Sequence, residues 1–449
     1  MSAVPPSSAL KRSAITGIAL AHAGVSRLGH KAKQTLRSPE QQALAQDEHD
    51  AELGRILFKA LNQLKGCALK VSQILSMEAD FLPPAVRREL AQAYYQVTPL
   101  NRALVLKQFQ QEFNSLPQEL YTQFQSSSFA AASLGQVHRA RSKDGLELAV
   151  KIQYPGIASA IKSDMRLLRQ ILRAYGLGRD NLPSPAVMDS VLDEIESKLH
   201  EELDYEHEAQ QINWFRQAVS ACDSLAQRIA IPDVLPEVSS KRILSMQLLE
   251  GLHLDAWLAT DPTQALRDHF GQTLFDWFWH SFCQLRRLHA DPHPGNFLFM
   301  PDQRLAVLDF GCTKSISEEF PVLIARHFAA LKMDDLDQEK VIALRASYLE
   351  LGFFPQELSH QEFKEKLLPA LAPFHQWRID AFMDHRFDFK HKSPYPAHHD
   401  SQQHKQLHAW CVGYHPDLPY FDRAFLGLMH MLKKIGARVD THIPFAQTS

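Results

Sequence analysis

Apolar positions alternate at intervals of four and three through Leu57, Leu61, Leu64, Ala68, Val71 and Leu75, which predicts a helix with one apolar face. Lys70 and Gln73, three apart, share a neighbouring face of it. Met188, Leu192, Ile195, Leu199 and Leu203 predict a second amphipathic helix, continuing through Glu202, Asp204 and Glu208. On such a helix Asp204 and Glu208 are like charges one turn apart, which repel unless a cation lies near. Shorter apolar runs read as strands: those between Phe129 and Ile152, and Arg242 to Leu249. Phe297 to Met300 and Leu305 to Leu308 flank the turn Pro301-Asp-Gln303, the pattern of a hairpin. The Trp- and Phe-rich run from Leu274 to Leu288 predicts a buried helix whose aromatics form core. Beyond Glu318 the pattern is helical, and a polar segment from Tyr395 to His408 precedes a last helix through Phe425 to Leu432.

The hairpin decides the chemistry. Immediately before it runs His289-Ala-Asp291-Pro-His-Pro-Gly-Asn296, and immediately after it Leu308-Asp309-Phe310-Gly311. Phosphoryl transfer needs one carboxylate near the attacking group, plus an amide oxygen and a second carboxylate to hold metal on the phosphates. Asp291 and Asn296 have the five-residue offset of the kinase pattern H-R-D-x-x-x-x-N, and the hairpin delivers Asn296 and Asp309 to one point. Upstream, Leu148-Ala-Val-Lys151 is a strand ending in a lysine, the kinase device that reaches the nucleotide phosphates. Ahead of it, Ala130, Ala131, Ala132, Ser133, Gly135 and Val137 overlay the Gly-rich loop pattern, with Ala130 and Ala132 at the first two glycine positions. Alanine there predicts a stiffer loop over the phosphates. The strand Arg242 to Leu249 carries Gln247 near its end, a candidate nucleotide contact, and Glu250-Gly251 then reads as a hinge near an adenine.

Together these residues resemble the UbiB family of atypical kinase-like proteins, also called AarF-domain kinases. The resemblance is carried by Ala130 to Arg139, Ala149-Val-Lys151 to Gly156, Glu202-Leu-Asp204-Tyr-Glu-His-Glu208, His289 to Asn296 and Asp309-Phe-Gly. It implies an α+β, two-lobed protein-kinase-like fold with an N-terminal helical extension covering the active-site cleft. In that arrangement Glu208 is the helix glutamate that pairs with Lys151. Lys70 and Gln73 belong to the extension's K-x-G-Q signature, here Lys70-Val-Ser72-Gln73, and Glu202 and Asp204 form an E-x-D motif that engages it. The domain reading is a basic leader at 1–45, the extension at 46–118, an N-lobe at 119–245, a C-lobe at 246–390, and a polar segment with a C-terminal helix at 391–449.

Composition narrows the function without naming it. The net charge of −3 over 449 residues leaves no field for nucleic-acid binding. The five cysteines are scattered and contain no Cys-x-x-Cys, so neither a disulfide framework nor a zinc site is expected. No stretch is apolar and long enough to span a bilayer. The leader from Ala14 to Val25, flanked by Lys11, Arg12, Arg27, Lys31, Lys33 and Arg37, reads as an interfacial helix, a degenerate targeting segment or a frayed terminus. The expected location is cytoplasmic or peripheral to a membrane, and mitochondrial in a eukaryote. Asp309-Phe-Gly is not followed by Ala-Pro-Glu, and the catalytic loop reads His-Ala-Asp, so a protein kinase with a phosphorylated activation segment is disfavoured. The leading expectation is an ATPase or small-molecule kinase that uses ATP/ADP and Mg2+. By resemblance it supports isoprenoid-quinone synthesis or lipid handling, with an isoprenoid lipid, a quinone precursor or quinone-biosynthesis proteins as partners. A nucleotide-binding pseudokinase scaffold and a lipid kinase remain the alternatives.

Overall fold

The computed structural model describes residues 101–132, 134–176, 185–333, 338–396 and 410–442, together with six positions outside these spans. Lys70, Gln73 and Ser133 lie outside the described residues, as do the leader and nearly all of the extension before residue 101. The chain forms two compact units, one of residues 1–210 and 233–248 and the other of 211–232 and 249–449. Residues 211–232, read above as part of the N-lobe, group with the second unit, as does the whole C-terminal segment.

The first unit is built on a four-stranded antiparallel sheet. Helix α1 (Arg102–Phe113) starts at Asn101, whose side chain accepts the Ala103 amide at 2.9 Å, and ends at Asn114 in the left-handed region. It presents Val105 and Phe109 to Tyr121, Leu148, Val150, Ile152 and Ile243, the core beneath the sheet. Strands β1 (Gln123–Ala132), β2 (Gly135–Arg141) and β3 (Glu147–Gln153) follow. Every residue of β3 from Leu148 onward is buried, Lys151 and Gln153 among them, as in a strand covered on both faces. Two helices come next, α2 (Ile157–Gly176) and α3 (Pro185–Glu201). Ile161, Met165, Leu168 and Leu172 make the buried face of α2, and Leu192, Ile195 and Leu199 that of α3. Arg169 of α2 bonds Asp193 at 2.7 Å and Glu196 at 2.8 Å on α3.

The predicted continuous acidic helix is two helices. α3 stops at Glu201, and α4 (Tyr205–Ser220) begins after a short turn. Asp204 is the cap: its carboxylate accepts the His207 amide at 2.9 Å and its carbonyl accepts the Glu208 amide at 2.9 Å. The charge repulsion expected between Asp204 and Glu208 is thereby replaced by a favourable carboxylate at a helix N-terminus. The chain crosses to the second unit within α4, contributes β4 (Ile229–Ala230) there, and returns to complete the first sheet with β5 (Ile243–Gln247). The strand order is β1-β2-β3-β5.

The second unit is mainly helical around α5 (Gln264–Cys283), which buries residues on all sides, including Phe270, Phe275, Trp277, Phe278, Trp279 and Phe282. After α5 come β6 (Arg287–His289), β7 (Phe297–Phe299), β8 (Leu305–Val307) and β9 (Thr313–Ser315). β7 and β8 form the predicted antiparallel hairpin, with β4 parallel to β8, and β6 pairs with β9. The remaining long elements are α6 (Phe320–Lys332), α7 (Gln338–Glu350), α8 (Leu368–Ile379) and α9 (Leu418–Ile435), with β10 (Arg386–Asp388) pairing β11 (Arg438–Asp440). Gly271 of α5 admits the chain after α9, since a Cβ there would lie 2.2 Å from that of Ala437.

Polar groups are buried among these helices. His327 places Nδ1 3.0 Å from the Ser347 hydroxyl, Tyr348 bonds His375 at 2.7 Å, and Arg378 bonds Asp422 at 2.9 Å. Burial, reinforced by the nearby Arg378 and His375, pushes the His327 pKa well below its usual 6.5. The unfolded chain takes up this proton near 6.5 and the folded chain does not. The stability that His327 confers by staying neutral is therefore complete above that pH and declines as pH falls below it. A His327→Asn variant is expected to show a shallower loss of urea midpoint between about pH 7 and pH 5 than wild type. Equal slopes in the two proteins would show that His327 is not the titrating group.

Candidate active site

In the first unit the chemistry gathers at Lys151. β3 holds it between Val137 of β2 and Leu244 of β5 in the ladder. Its Nζ donates to both carboxylate oxygens of Glu208 at 2.9 Å, and the Tyr205 ring lies 5.0 Å below the cation. The side chains are 9% and 2% exposed, so the pair is desolvated and its geometry is fixed. The break between α3 and α4 makes this possible, because it starts a new helix whose first turn carries Glu208.

The alanine segment is not a loop. Ala130, Ala131 and Ala132 are strand residues paired with Val137, Gln136 and Gly135, and register shifts interrupt β1 before them. Gly135 is required by a close approach within the sheet: a Cβ there would sit 2.3 Å from the Ile152 carbonyl oxygen. Gln247 closes β5 opposite Leu148, while Glu250 is exposed. Glu202 is half-buried in the turn between α3 and α4, and Asp204 is an exposed cap.

In the second unit the hairpin brings Asn296 and Asp309 to one end, where the Leu308 amide donates to the Asn296 carbonyl at 3.0 Å. The Asn296 Nδ2 donates to the Asp291 carboxylate at 2.9 Å and to its carbonyl at 3.2 Å. This fixes the Asp291 carboxylate and turns the Asn296 amide oxygen away from that pair. One Asp309 oxygen accepts the Gly311 amide at 2.9 Å, and its carbonyl lies 2.5 Å from His289 Nε2. His289 thus ties the catalytic loop to the segment after the hairpin, as does the Ala290 amide, which donates to the Cys312 carbonyl at 2.9 Å. The His289 ring stands edge-on to the buried Phe310 at 5.5 Å, and Phe310 packs on Phe215 of α4 at 5.0 Å.

Asn296 and Asp309 offer hard oxygen donors, one amide and one carboxylate. That is the sparse set suited to Mg2+, which keeps water and phosphate oxygens in its shell. No group of three or more His, Cys, Asp or Glu able to hold a metal occurs among the described residues.

Sequence reasoning missed three contributors. Phe215 supports Phe310 from a helix read only for its charges. Arg287 stacks on Trp214 at 4.1 Å and reaches Gln211 at 3.3 Å. Gly427, inside α9, lies against Pro292 of the catalytic loop. A glycine in a helix interior was the available signal for the last.

Comparison with known proteins is consistent with this geometry. The profile of the ABC1 atypical kinase-like domain matches residues 92–344. The chain is 30% identical over 277 residues to the mitochondrial atypical kinase coq-8 of Caenorhabditis elegans, covering 60% of this chain and 35% of that protein. It is 29% identical over 274 residues to the mitochondrial atypical kinase COQ8B of Danio rerio, covering 61% and 42%. With the chloroplastic protein Activity of bc1 complex kinase 3 of Arabidopsis thaliana it shares 29% over 326 residues, covering 71% and 43%. The chain spans between 35% and 59% of the length of such curated relatives. Among solved structures, a Mycobacterium tuberculosis protein, Rv3197 in complex with erythromycin, superposes with a TM-score of 0.61 at 21% identity. That match covers 90% of this chain and 96% of the other, a likeness of fold.

Proposed function

Because the chain belongs to the ABC1 atypical kinase-like family, we propose that it binds MgATP and hydrolyses it, or passes its γ-phosphoryl group to a small molecule, in support of isoprenoid-quinone metabolism. The observation that carries this reading is the catalytic loop, in which Asn296 holds the Asp291 carboxylate at 2.9 Å. Asp291 is the group that takes the proton from an attacking water or hydroxyl. Lys151, oriented by Glu208, binds phosphate oxygens. Asn296 and Asp309 would hold magnesium, which neutralises phosphate charge when bound.

A small or watery acceptor is favoured over a protein. After Gly311 the chain enters β9 at Thr313 and α6 at Phe320, which leaves no room for a long substrate-binding segment. The quinone connection rests on the named coq-8 and COQ8B relatives, both mitochondrial proteins. Peripheral membrane contact would come through the basic leader. Among the described residues no helix is long and apolar enough to cross a membrane.

The scaffold reading is favoured by one feature, the strand pairing of Ala130 to Ala132 in place of a glycine loop. Turnover separates the two. Asp291→Asn is expected to lower MgATP hydrolysis on the order of 100-fold or more while nucleotide binding persists. A wild-type protein that binds MgATP and forms no ADP, with or without lipid vesicles and small-molecule hydroxyl acceptors, would establish the scaffold.

A further inference from the structure

A protein kinase commonly sets its catalytic geometry with a phosphorylated activation segment, which an arginine of the catalytic loop helps to hold. Here Ala290 stands in that arginine's place, and only Cys312 to Glu319 separate Gly311 from α6. The stretch pairs with β6 through β9, and its further side-chain contacts come largely from α9 and the residues that lead into it.

Asp417, at the N-terminus of α9 and 5% exposed, accepts the Ser317 amide at 2.9 Å through one oxygen and has Lys314 3.9 Å from the other. His415 Nδ1 lies 3.9 Å from the same carboxylate, and its Nε2 lies 3.8 Å from Glu319. Tyr420 places its ring 5.0 Å from the Lys314 ammonium. Arg423, three residues on, donates to the Cys312 sulfur at 3.0 Å. Gly427, one turn further, faces Pro292: a Cβ at this position would lie 2.1 Å from the proline Cβ and 2.2 Å from its Cγ. Pro292 is covalently next to Asp291. Positions 420, 423 and 427 follow helical spacing, so one face of α9 addresses both the catalytic loop and the segment after Asp309.

The rest of α9 is anchored. Phe421 and Phe425 pack on Phe278 of α5 at 5.7 and 6.1 Å, and Leu428, Leu432 and Ile435 are buried. A helix so embedded cannot shift without disturbing the core, and it presents a fixed template to the loops that touch it. Glycine is an unfavourable choice inside a helix, and the close seating of Pro292 is the reason for it here.

We infer that α9 replaces the activation segment: Gly427 and Asp417 are positioning residues that hold Asp291 and the segment carrying Asp309 in their working arrangement without phosphorylation. This rests on the phosphoryl-transfer reading above. The test uses the full chain and steady-state MgATP hydrolysis, with Gly427→Ala, Pro292→Gly and the two combined. Gly427→Ala is expected to lower kcat on the order of 100-fold, the effect of displacing a catalytic group by about 1 Å, with KM for MgATP changed less than about threefold. Combined with Pro292→Gly it is expected to cause little further loss, because the atom it strikes has gone. Asp417→Ala is expected to lower kcat and raise the Mg2+ concentration for half-activity. Asp417→Asn, which keeps an oxygen for the Ser317 amide, is expected to recover most of both, and this pair decides the matter if Gly427→Ala fails to fold.

Wild-type kcat in Gly427→Ala, or an equal loss on the Pro292→Gly background, overturns the inference while leaving the phosphoryl-transfer reading intact. So does an Asp417→Asn protein as impaired as Asp417→Ala. A wild-type protein without turnover overturns both.

Discussion

Asp309→Asn is expected to abolish the magnesium-dependent part of nucleotide stabilisation while leaving the unliganded protein almost as stable as wild type. The substitution is isosteric. It keeps an oxygen for the Gly311 amide, which now sits 2.9 Å from Asp309 Oδ1, and it does not touch the buried Phe310 beside it. What it removes is the negative charge that attracts a hard cation. A ligand present at a hundred times its Kd stabilises the folded state by about 2.7 kcal/mol, enough to raise the melting temperature measurably. Wild type should show a larger rise with MgADP than with ADP plus a chelator, and Asp309→Asn should show no difference between the two. An unchanged magnesium increment in the variant would remove Asp309 from the metal site and with it the kinase-like assignment of the hairpin.

What the sequence reveals here is local. The hairpin from Phe297 to Val307 was legible because two apolar runs flank a Pro-Asp-Gln turn, and everything that forms it lies within a dozen residues. The separation of α3 from α4 was not legible, because Leu203 continues the apolar spacing of α3 straight through the break. Only the preference of aspartate for a helix cap hinted at the boundary, and Asp204 has that role. The alanines illustrate a second limit. Their place in a motif suggested a loop, but strand pairing to Gly135 to Val137 decides their conformation, and pairing partners are not announced by either segment alone. Gly135 looks like a phosphate-loop glycine in the sequence, and in the fold it is also the only residue that fits against the Ile152 carbonyl. The contacts of α9 with the catalytic loop are the extreme case. They join distant parts of the chain, and nothing near Pro292 indicates that a glycine from the last helix lies against it.

Lys151 and Glu208 allow stability and function to be separated in one set of variants. Both charges are nearly excluded from water, with both oxygens of the carboxylate 2.9 Å from the ammonium. Removing one partner leaves the other buried and unpaired, which typically costs about 3–5 kcal/mol, whereas replacing both by apolar groups of similar size is close to neutral. Lys151→Met should therefore lower the unfolding free energy by roughly that amount, measured by urea denaturation, and should also abolish MgATP binding. Glu208→Gln should be milder, since the amide oxygen still accepts from Lys151. The informative protein is Lys151→Met combined with Glu208→Leu. It is expected to regain most of the lost stability and none of the nucleotide binding, because the fold no longer holds an unpaired charge but the phosphate has lost its cation. If the double variant bound MgATP like wild type, Lys151 would be a structural lysine. If Lys151→Met alone were as stable as wild type, the pair would be solvated in solution and could not fix the lysine for any ligand.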